Sequence, residues 1–149
     1  MTDQPRSVPV PLPLAVWERG GLAAALAKAG LPADDLETEG PLFWRFEQDD
    51  GPVGFGGLEI FGNQALLRSV VTLPPVRNRG IGSAIVAALE MEARIRGCRT
   101  VWLATDDAAD FFAPLGYALY ERSEAPEPIR EATPFARSPQ AATMMKRLD

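Results

Sequence analysis

The residues with the clearest chemical potential form a turn that contains two glycines, Arg77-Asn78-Arg79-Gly80-Ile81-Gly82. The turn lies between an apolar run, Leu66 to Leu73, and an amphipathic stretch, Ile81 to Ile95, which is the pattern of a strand, a turn and a helix. Glycine allows both a tight turn and a close approach of the backbone to a ligand. A helix that begins here directs its unpaired N–H groups and the positive end of its dipole at an anion, and the two arginines suit the same anion. The turn therefore predicts a phosphate-bearing cofactor.

The same turn has three other interpretations. An ordinary strand–helix turn uses glycine only for close packing. A dinucleotide-binding turn normally has three glycines after the first strand, with an acidic residue about 20 residues later. This turn has only two glycines and follows several strands predicted to be antiparallel. A Walker phosphate loop requires Gly-Lys-Ser/Thr, which the sequence lacks.

A glutamate and an arginine are the second candidate for chemistry. Glu59 lies on a predicted strand, Val53 to Phe61, and a two- or four-residue turn at Gly62-Asn63 places it opposite Leu66. Arg68 is then within diagonal reach on the same face, whereas a three-residue turn moves it to the other face. An ion pair on an apolar sheet costs desolvation. The pair is therefore either structural or functional, with Glu59 taking an amine proton through water and Arg68 holding a substrate anion.

Three further polar side chains are candidates for substrate contacts. Ser69 could hydrogen-bond the substrate or a coenzyme, or could simply be tolerated in its strand. Thr105 ends a predicted parallel strand, and ligands favour that end of the strands in α/β sheets. The following residues, Asp106 and Asp107, could instead cap the next helix. Arg122 either lines an acceptor pocket or is a solvated strand end.

The composition favours one α/β domain, residues 1–149, with a flexible proline-rich arm at residues 1–9. With 149 residues, 46% of them hydrophobic, the chain can bury a real core. A net charge of −5 opposes overall binding to nucleic acid or anionic membranes, so any anion site is local. Histidine is absent, which removes the usual imidazole base and most transition-metal sites. A single cysteine and the lack of a signal peptide or long apolar run favour the cytoplasm.

The order of the elements predicts a mixed sheet of six or seven strands. The nearly continuous apolar run Thr100 to Ala104 follows a helix, which favours a strand buried on both faces and paired parallel with the strand before that helix. We expect the central helix to bury Ile81, Ile85, Leu89, Glu92 and Ile95 on one face. The predicted elements are an edge strand within residues 1–13, helix Glu18 to Ala29, strands Leu42 to Glu47, Val53 to Phe61 and Gln64 to Leu73, helix Ile81 to Ile95, strand Thr100 to Ala104, helix Ala108 to Ala113, strand Tyr117 to Arg122, a loop over 124–140 and strand Ala142 to Leu148.

This order, together with two motifs, resembles the GCN5-related N-acetyltransferases over roughly residues 10–148. Arg77, Gly80 and Gly82 match the signature Arg/Gln-x-x-Gly-x-Gly/Ala, and Phe111-Phe112 precedes Gly116-Tyr117 as an aromatic pair does in that family. The resemblance implies acetyl-coenzyme A as cofactor, held by the turn amides and admitted by a splay between the two parallel strands. The cofactor-binding residues that it implies are Val70, Val71, Arg77, Asn78, Arg79, Gly80, Ile81, Gly82, Ser83 and Phe112.

The implied activity is acetyl transfer to the amine of a small anionic acceptor by a monomer or a homodimer. Glu59 and Ser69 would then be catalytic, and Arg68, Thr105 and Arg122 would contact the acceptor. Phe112 stands where many members of the family have a tyrosine that reprotonates the thiolate, and phenylalanine cannot donate that proton. A non-catalytic acyl-coenzyme A sensor and a plain structural domain are the alternatives.

Parts of the chain also resemble the small acetyltransferases that are associated with arsenic-resistance gene clusters. The similar segments are Gly57-Leu58-Glu59, Leu66 to Val71 and Pro139 to Met144. Members of that subgroup often have a cysteine where this chain has Ser138, so any role of that thiol is absent here. The acceptor implied by this resemblance is an amino-acid-like amine, or an organoarsenical analogue of one.

Overall fold

The computed structural model describes residues 8–33, 36, 40–49, 51–74 and 80–148. Its helices are α1 (Gly20–Lys28), α2 (Ile81–Ile95), α3 (Ala109–Phe112), α4 (Glu127–Glu131) and α5 (Thr133–Ala136). Its strands are β1 (Val10–Pro13), β2 (Leu42–Gln48), β3 (Gly51–Phe61), β4 (Gln64–Thr72), β5 (Thr100–Thr105), β6 (Ala118–Tyr120) and β7 (Ala142–Arg147). None of the described helices has the length and hydropathy that a membrane span requires.

The strands form one mixed sheet of seven in the order β1-β2-β3-β4-β5-β7-β6. All described pairings are antiparallel except that of β4 with β5, which is parallel. The crossover connection that a parallel pair needs contains α2. The predicted fold class, a mixed α/β sheet with a central parallel pair, is confirmed.

Two layers of helix cover the sheet. Helix α2 packs against one face, where its Ile85 and Leu89 join the largest apolar cluster. On the other face, α1 covers the β2–β4 region through Leu22 and Leu26, and α4 and α5 cover the β5–β7 region. Because α1 and α5 cover separate parts of one face, the sheet between them is available to a ligand.

Glycines on β3 allow α2 to lie close to the sheet. A Cβ atom at Gly54 would stand 2.6 Å from Ile85 Cδ1, and one at Gly56 would stand 2.6 Å from Leu89 Cδ1. Such distances are shorter than van der Waals contact, so any side chain at either position would push the helix away. These glycines therefore set the depth at which α2 packs.

The buried face of α2 differs from the predicted one. Ile81, Ile85 and Leu89 are buried as expected, but Ile95 is 69% exposed and Glu92 pairs with Arg96 at the surface. The buried stripe continues instead through Val86, Glu90 and Ala93. Glu90 is tolerated there because it accepts hydrogen bonds from Tyr117 Oη at 2.9 Å and from Lys146 Nζ at 2.9 Å.

The segment after β6 was predicted wrongly. The strand expected over Tyr117 to Arg122 is limited to Ala118–Tyr120, and Arg122 begins a short 3₁₀ turn. The expected loop over 124–140 contains α4 and α5, which bury Ile129 and Phe135 against the sheet. Both side chains are fully buried, so this proline-rich stretch is a packed part of the core.

Candidate functional site

Strands β4 and β5 separate soon after they pair. They are joined at Gln64–Thr100, Ala65–Val101 and Leu66–Trp102, and beyond these positions they diverge. A cleft of about 470 Å³ opens where they part, as the splay predicted from the resemblance requires. Its residues come from both strands, the end of α1, the start of α3 and the end of α5: Leu26, Gly30, Leu31, Pro32, Leu67, Arg68, Ser69, Val70, Leu103, Ala104, Thr105, Asp106, Asp107, Ala108, Phe112, Pro134, Arg137 and Ser138.

A β-bulge bends β4 at the edge of this cleft. Phe55 pairs with Val71 and Gly57 pairs with Arg68, so Gly56 faces two residues, Ser69 and Val70. Ser69 has a φ of 59°, the one positive φ among the described residues other than glycine. The left-handed conformation is unfavourable for a serine. Strained backbone conformations of this kind cluster at active sites and ligand-binding sites. The sequence contained no signal for this bulge.

Helix α2 begins on a glycine in the left-handed region. Gly80 has a φ of 73° and precedes Ile81, the first residue of α2. A Cβ atom at Gly82 would stand 3.1 Å from Phe111 Cζ, so this glycine lets the Phe111 ring lie against the first turn. Ile81 is buried and Ser83 is half-buried. The predicted partners Arg77, Asn78 and Arg79 lie outside the described residues, and their role stays a prediction.

The predicted contact between Glu59 and Arg68 is present. The turn at Gly62-Asn63 has two residues, which places Glu59 opposite Leu66. Arg68 Nη1 donates to Glu59 Oε1 at 2.7 Å, and the two side chains are 2% and 15% exposed, respectively. Arg68 lines the cleft, whereas Glu59 is not among its lining residues. The geometry leaves the roles of both residues as predictions.

The carboxyl end of β5 contributes polar groups to the cleft. Thr105 Oγ1 accepts a hydrogen bond from Ala108 N at 2.9 Å, so the threonine closes the turn that leads into α3. Asp106 and Asp107 were expected to cap that helix, but its N-cap residue is Ala108 and has no side-chain cap. Both aspartates instead line the cleft and are exposed.

The aromatic residues near the cleft form an edge-to-face chain. Phe112 is buried, lines the cleft and packs against Phe111 and Tyr117 with ring centroids 4.9 and 5.5 Å away. Tyr117 donates its phenol hydrogen to Glu90, and burial, reinforced by the charge of Glu90, raises its pKa above the ordinary value. Tyr120 packs edge-on against Trp102. Neither tyrosine is among the residues that line the cleft.

Arg122 has a structural position. Its guanidinium donates to Phe135 O at 2.9 Å and to Ser138 O at 2.5 Å, and it lies over the Phe135 ring at 5.1 Å. It is not among the lining residues, so the acceptor contact predicted for it stays a prediction.

The α5 region contributes residues to the cleft that the sequence analysis did not predict as site residues. Arg137 and Ser138 line it, together with Pro134. Sequence reasoning missed these residues because it assigned the segment to a loop. The available signal was the apolar pair Ile129 and Phe135 within it.

Two of the predicted cofactor residues differ in their surroundings. Val70 lines the cleft, whereas the Val71 side chain is buried beneath α1 beside Phe55. Val71 is not among the lining residues, so its contact with the cofactor stays a prediction.

Comparison with known proteins places this arrangement in a family. The family model for the acetyltransferase (GNAT) domain matches residues 39–119. N-alpha-acetyltransferase 80 of Mus musculus is 45% identical over 56 residues, which are 38% of this chain and 18% of that protein. The uncharacterized protein YyaT of Bacillus subtilis is 35% identical over 72 residues, which are 48% of this chain and 49% of that protein. The matches thus span less than half of the lengths of these curated relatives.

Solved structures share the fold at low identity. N-acetylglutamate synthase from Neisseria gonorrhoeae, complexed with coenzyme A and L-arginine, has a TM-score of 0.77 at 16% identity, over 95% of this chain and 34% of that chain. Rv2747 from Mycobacterium tuberculosis, in complex with CoA and NLQ, has a TM-score of 0.71 at 18% identity, over 95% and 100%. A GNAT-family acetyltransferase from Staphylococcus aureus Mu50 has a TM-score of 0.71 at 18% identity, over 94% and 100%.

The family match runs from β2 into β6 and so includes the glycine turn, α2 and both strands between which the cleft opens. The splayed parallel pair and the helix start on Gly80 lie within the matched segment. The chain belongs to the GNAT acetyltransferase family.

Proposed function

We propose that this chain transfers the acetyl group of acetyl-CoA to the amine of a small acceptor. The observation that supports the proposal is the cleft between β4 and β5, two strands that lie within the segment that the acetyltransferase family model matches. Beyond Leu66 and Trp102 the two strands no longer share backbone hydrogen bonds. Their backbone groups can therefore pair with an extended pantetheine arm, much as a sheet accepts an added strand.

The start of α2 suits the phosphate end of the cofactor. The N–H groups of the first helical turn, at Ile81, Gly82 and Ser83, have no partner within the helix. Together with the helix dipole they attract a pyrophosphate, and the close approach requires the glycines. The sequence adds Arg77, Asn78 and Arg79 to this proposed phosphate site.

The chemistry is a direct transfer. The amine nitrogen attacks the thioester carbonyl carbon, an N–C bond forms, the C–S bond breaks, and coenzyme A leaves as a thiolate. Holding the two reactants together replaces a bimolecular encounter and is the main catalytic contribution. Backbone N–H groups near Val70 and Val71 would stabilise the thioester oxygen as charge develops on it. Ser69 lines the cleft at the bulge, and its hydroxyl would bond the substrate or the thioester.

A water molecule carries the amine proton, and the leaving thiolate needs no protein acid. The amine loses its proton to Glu59 through a water molecule, which is feasible because the Glu59 side chain is 15% exposed. The leaving thiolate needs no tyrosine acid, since a free thiol has a pKa of about 8.5 and a thiolate is a competent leaving group near neutral pH. Phe112 then serves as an apolar wall rather than a proton donor.

The acceptor is proposed to have an anionic group and a small apolar body. Arg68, Thr105 and Ser138 line the cleft and offer the polar contacts, while Leu26 and Leu31 offer the apolar ones. An amino-acid-like amine fits this lining, and an organoarsenical analogue of an amino acid belongs to the same chemical class. Arg122 would contribute only if its guanidinium left the two carbonyls that it now contacts.

A non-catalytic acyl-CoA sensor is the second candidate. It is favoured because Phe112 lines the cleft, whereas Glu59 and the two nearby tyrosines are not among its lining residues. A sensor binds acetyl-CoA but releases no free thiol with any amine.

The first experiment is a thermal-shift assay with acetyl-CoA, coenzyme A and NADH. Binding to the folded state raises the melting temperature by mass action. A rise with both coenzyme A forms and none with NADH supports the cofactor site. Thiol release is then measured with a panel of amino acids and an organoarsenical amine. No rise with either coenzyme A form would refute the proposal, and a rise without thiol release across the panel would favour the sensor.

A single variant tests the glycine turn. Gly82→Trp is expected to fold, because the Phe111 ring that it meets is 38% exposed and can move. It should nevertheless lose the thermal shift with acetyl-CoA, because the indole would occupy the approach to the first turn. Gly20→Trp, at a helix start where a Cβ has no neighbour within 4 Å, is the matched control and should keep the shift. An unchanged shift in Gly82→Trp would remove the turn from the cofactor site.

A further inference from the structure

A glycine makes room for an aromatic ring beside the arginine of the cleft. Phe43, Gly57 and Arg68 are direct partners across β2, β3 and β4, so their side-chain positions share one face of the sheet. A Cβ atom at Gly57 would stand 2.6 Å from Phe43 Cδ1. The missing side chain leaves a trough, in which the Phe43 ring lies with the Arg68 guanidinium carbon 5.3 Å from its centroid.

A second buried arginine holds the same ring. The Arg19 guanidinium carbon lies 4.7 Å from the Phe43 centroid. Arg19 precedes α1 and donates to Leu36 O at 2.8 Å and to Pro41 O at 3.1 Å, so it joins the start of that helix to the segment before β2. Burial, with a further contribution from the charge of Arg68, lowers the pKa of Arg19. Arg19 itself does not line the cleft, whereas Arg68 does.

We propose that Arg19 and Gly57 are positioning residues that act through Phe43 to hold the Arg68 guanidinium ready for the anionic group of the acceptor. The inference rests on the proposed function, because it assumes that the acceptor meets Arg68. It extends that function by assigning acceptor recognition to residues on β2, β3 and the start of α1 that never touch the acceptor.

The physical reason is preorganisation. A flexible arginine loses rotamer entropy when it is ordered, and a ligand that must order it binds more weakly. Here the ordering is done in advance, by Glu59 at 2.7 Å from Nη1 and by the Phe43 ring, whose centroid lies 5.3 Å from the guanidinium carbon. The planar guanidinium suits both a stacked ring and a two-oxygen anion, which is a match that lysine lacks.

The test separates acceptor affinity from cofactor affinity. Arg19→Met and Gly57→Ala are expected to raise the KM for a carboxylate-bearing amino acid about tenfold. The KM for the corresponding amino-acid amide and the KM for acetyl-CoA should change less than twofold. Arg19→Lys keeps the charge but not the plane or the paired hydrogen bonds, so its KM should lie between those of the wild type and Arg19→Met. A purely structural role would lower the melting temperature without splitting the two KM values.

One control lies on β2, the strand of Phe43, and the other is a glycine with open space around it. Arg45→Met on β2 removes a surface arginine whose side chain is 38% exposed and pairs with Glu47, and Gly20→Ala adds a methyl where no atom lies within 4 Å. Both should leave every KM unchanged. Arg19→Met serves as the deciding variant if Gly57→Ala fails to fold.

Three outcomes contradict the inference in distinguishable ways. If the KM values for the amino acid and its amide rise together, or neither rises, Arg19 does not position an anion-binding group. If wild-type protein turns over only neutral amines, Arg68 is not the anion contact and the inference fails while acetyl transfer stands. If wild-type protein gives a thermal shift with acetyl-CoA but neither turnover nor a further shift with any amino acid, both the inference and the proposed acceptor class fail.

Discussion

Replacing Ser69 by glycine is expected to make the protein more stable, although it removes a side chain. Ser69 has a φ of 59° at the bulge in β4. A left-handed conformation costs a residue with a Cβ roughly 1–2 kcal/mol, and glycine adopts it without that cost. The strain is therefore stored in the wild-type chain and released in the variant.

The size of the effect follows from two opposing contributions to the free energy of unfolding. Relief of the left-handed strain, about 1–2 kcal/mol, is opposed by the greater freedom of glycine in the unfolded chain, about 0.4–1 kcal/mol. The substitution also removes the Ser69 hydroxyl, which accepts a hydrogen bond from Arg68 Nε at 3.4 Å, and a bond of that length contributes little. The net gain lies between about 0 and 1.6 kcal/mol, and its midpoint of about 0.8 kcal/mol raises the melting temperature of a domain of this size by about 2–3 °C.

Urea and thermal unfolding of three variants measure this effect. Ser69→Ala keeps the strain and loses the hydroxyl, so its stability should equal that of the wild type or fall slightly below it. Ser123→Gly is the matched control, since Ser123 is exposed within a 3₁₀ turn, where glycine brings only its entropy cost. This control should lose about 0.5–1 kcal/mol. The expected order of stability is Ser69→Gly, wild type, Ser69→Ala.

Two results would refute the reasoning. A loss of stability in Ser69→Gly as large as that in Ser123→Gly would mean that the backbone at residue 69 is not strained. Measured turnover distinguishes the role of the Ser69 backbone from that of its hydroxyl. An equal loss of activity in Ser69→Gly and Ser69→Ala would assign the catalytic role to the hydroxyl. Retained activity in both variants would remove Ser69 from the catalytic residues.

Three further perturbations follow from the packing and the charges. Gly56→Ala places a methyl 2.6 Å from Leu89 Cδ1, so it should cost about 1–3 kcal/mol in urea unfolding, and a neutral result would mean that α2 lies farther from the sheet. Tyr117→Phe should lose about 1–3 kcal/mol at pH 8, because it removes the donor to buried Glu90. Since folding raises the pKa of Tyr117, its stabilisation is fully present below the ordinary value of about 10 and declines as the pH rises above it. The difference between wild type and variant should therefore shrink from pH 10 to 11, and a constant difference would contradict the buried phenol. Glu59→Gln should slow thiol release by about 10²-fold or more, whereas wild-type rates at high pH would exclude Glu59 as the base.

Local patterns were enough to predict most of the fold. The two-residue turn at Gly62-Asn63 determined the register of β3 and β4, and from it the side of the sheet on which Arg68 meets Glu59. The apolar run Thr100 to Ala104 after a helix predicted the parallel pair. Such patterns are readable because strand alternation, helix period and turn chemistry each depend on residues only a few positions apart.

Where local patterns were weak, the prediction was wrong. The proline-rich stretch 124–140 offered no periodicity, yet Ile129 and Phe135 within it are fully buried by residues of β4, β5 and β7. On α2, the buried face includes Glu90 rather than Glu92. Glu90 can be buried because it accepts hydrogen bonds from Tyr117 and Lys146, which are distant in sequence. Both outcomes depend on contacts between distant segments, which composition and spacing do not report.

The sequence by itself determined the order of the elements, the glycine turn and the motifs that carry the family resemblance. It also determined that Phe112 cannot donate a proton. Tertiary structure alone decided where β4 and β5 part, that Ser69 is strained, and that Arg68 and Arg137 line the cleft while Arg122 binds two carbonyls. The division has one physical cause. Conformation along the chain is set by neighbouring residues, whereas the surroundings of a side chain are set by whatever distant segments pack against it.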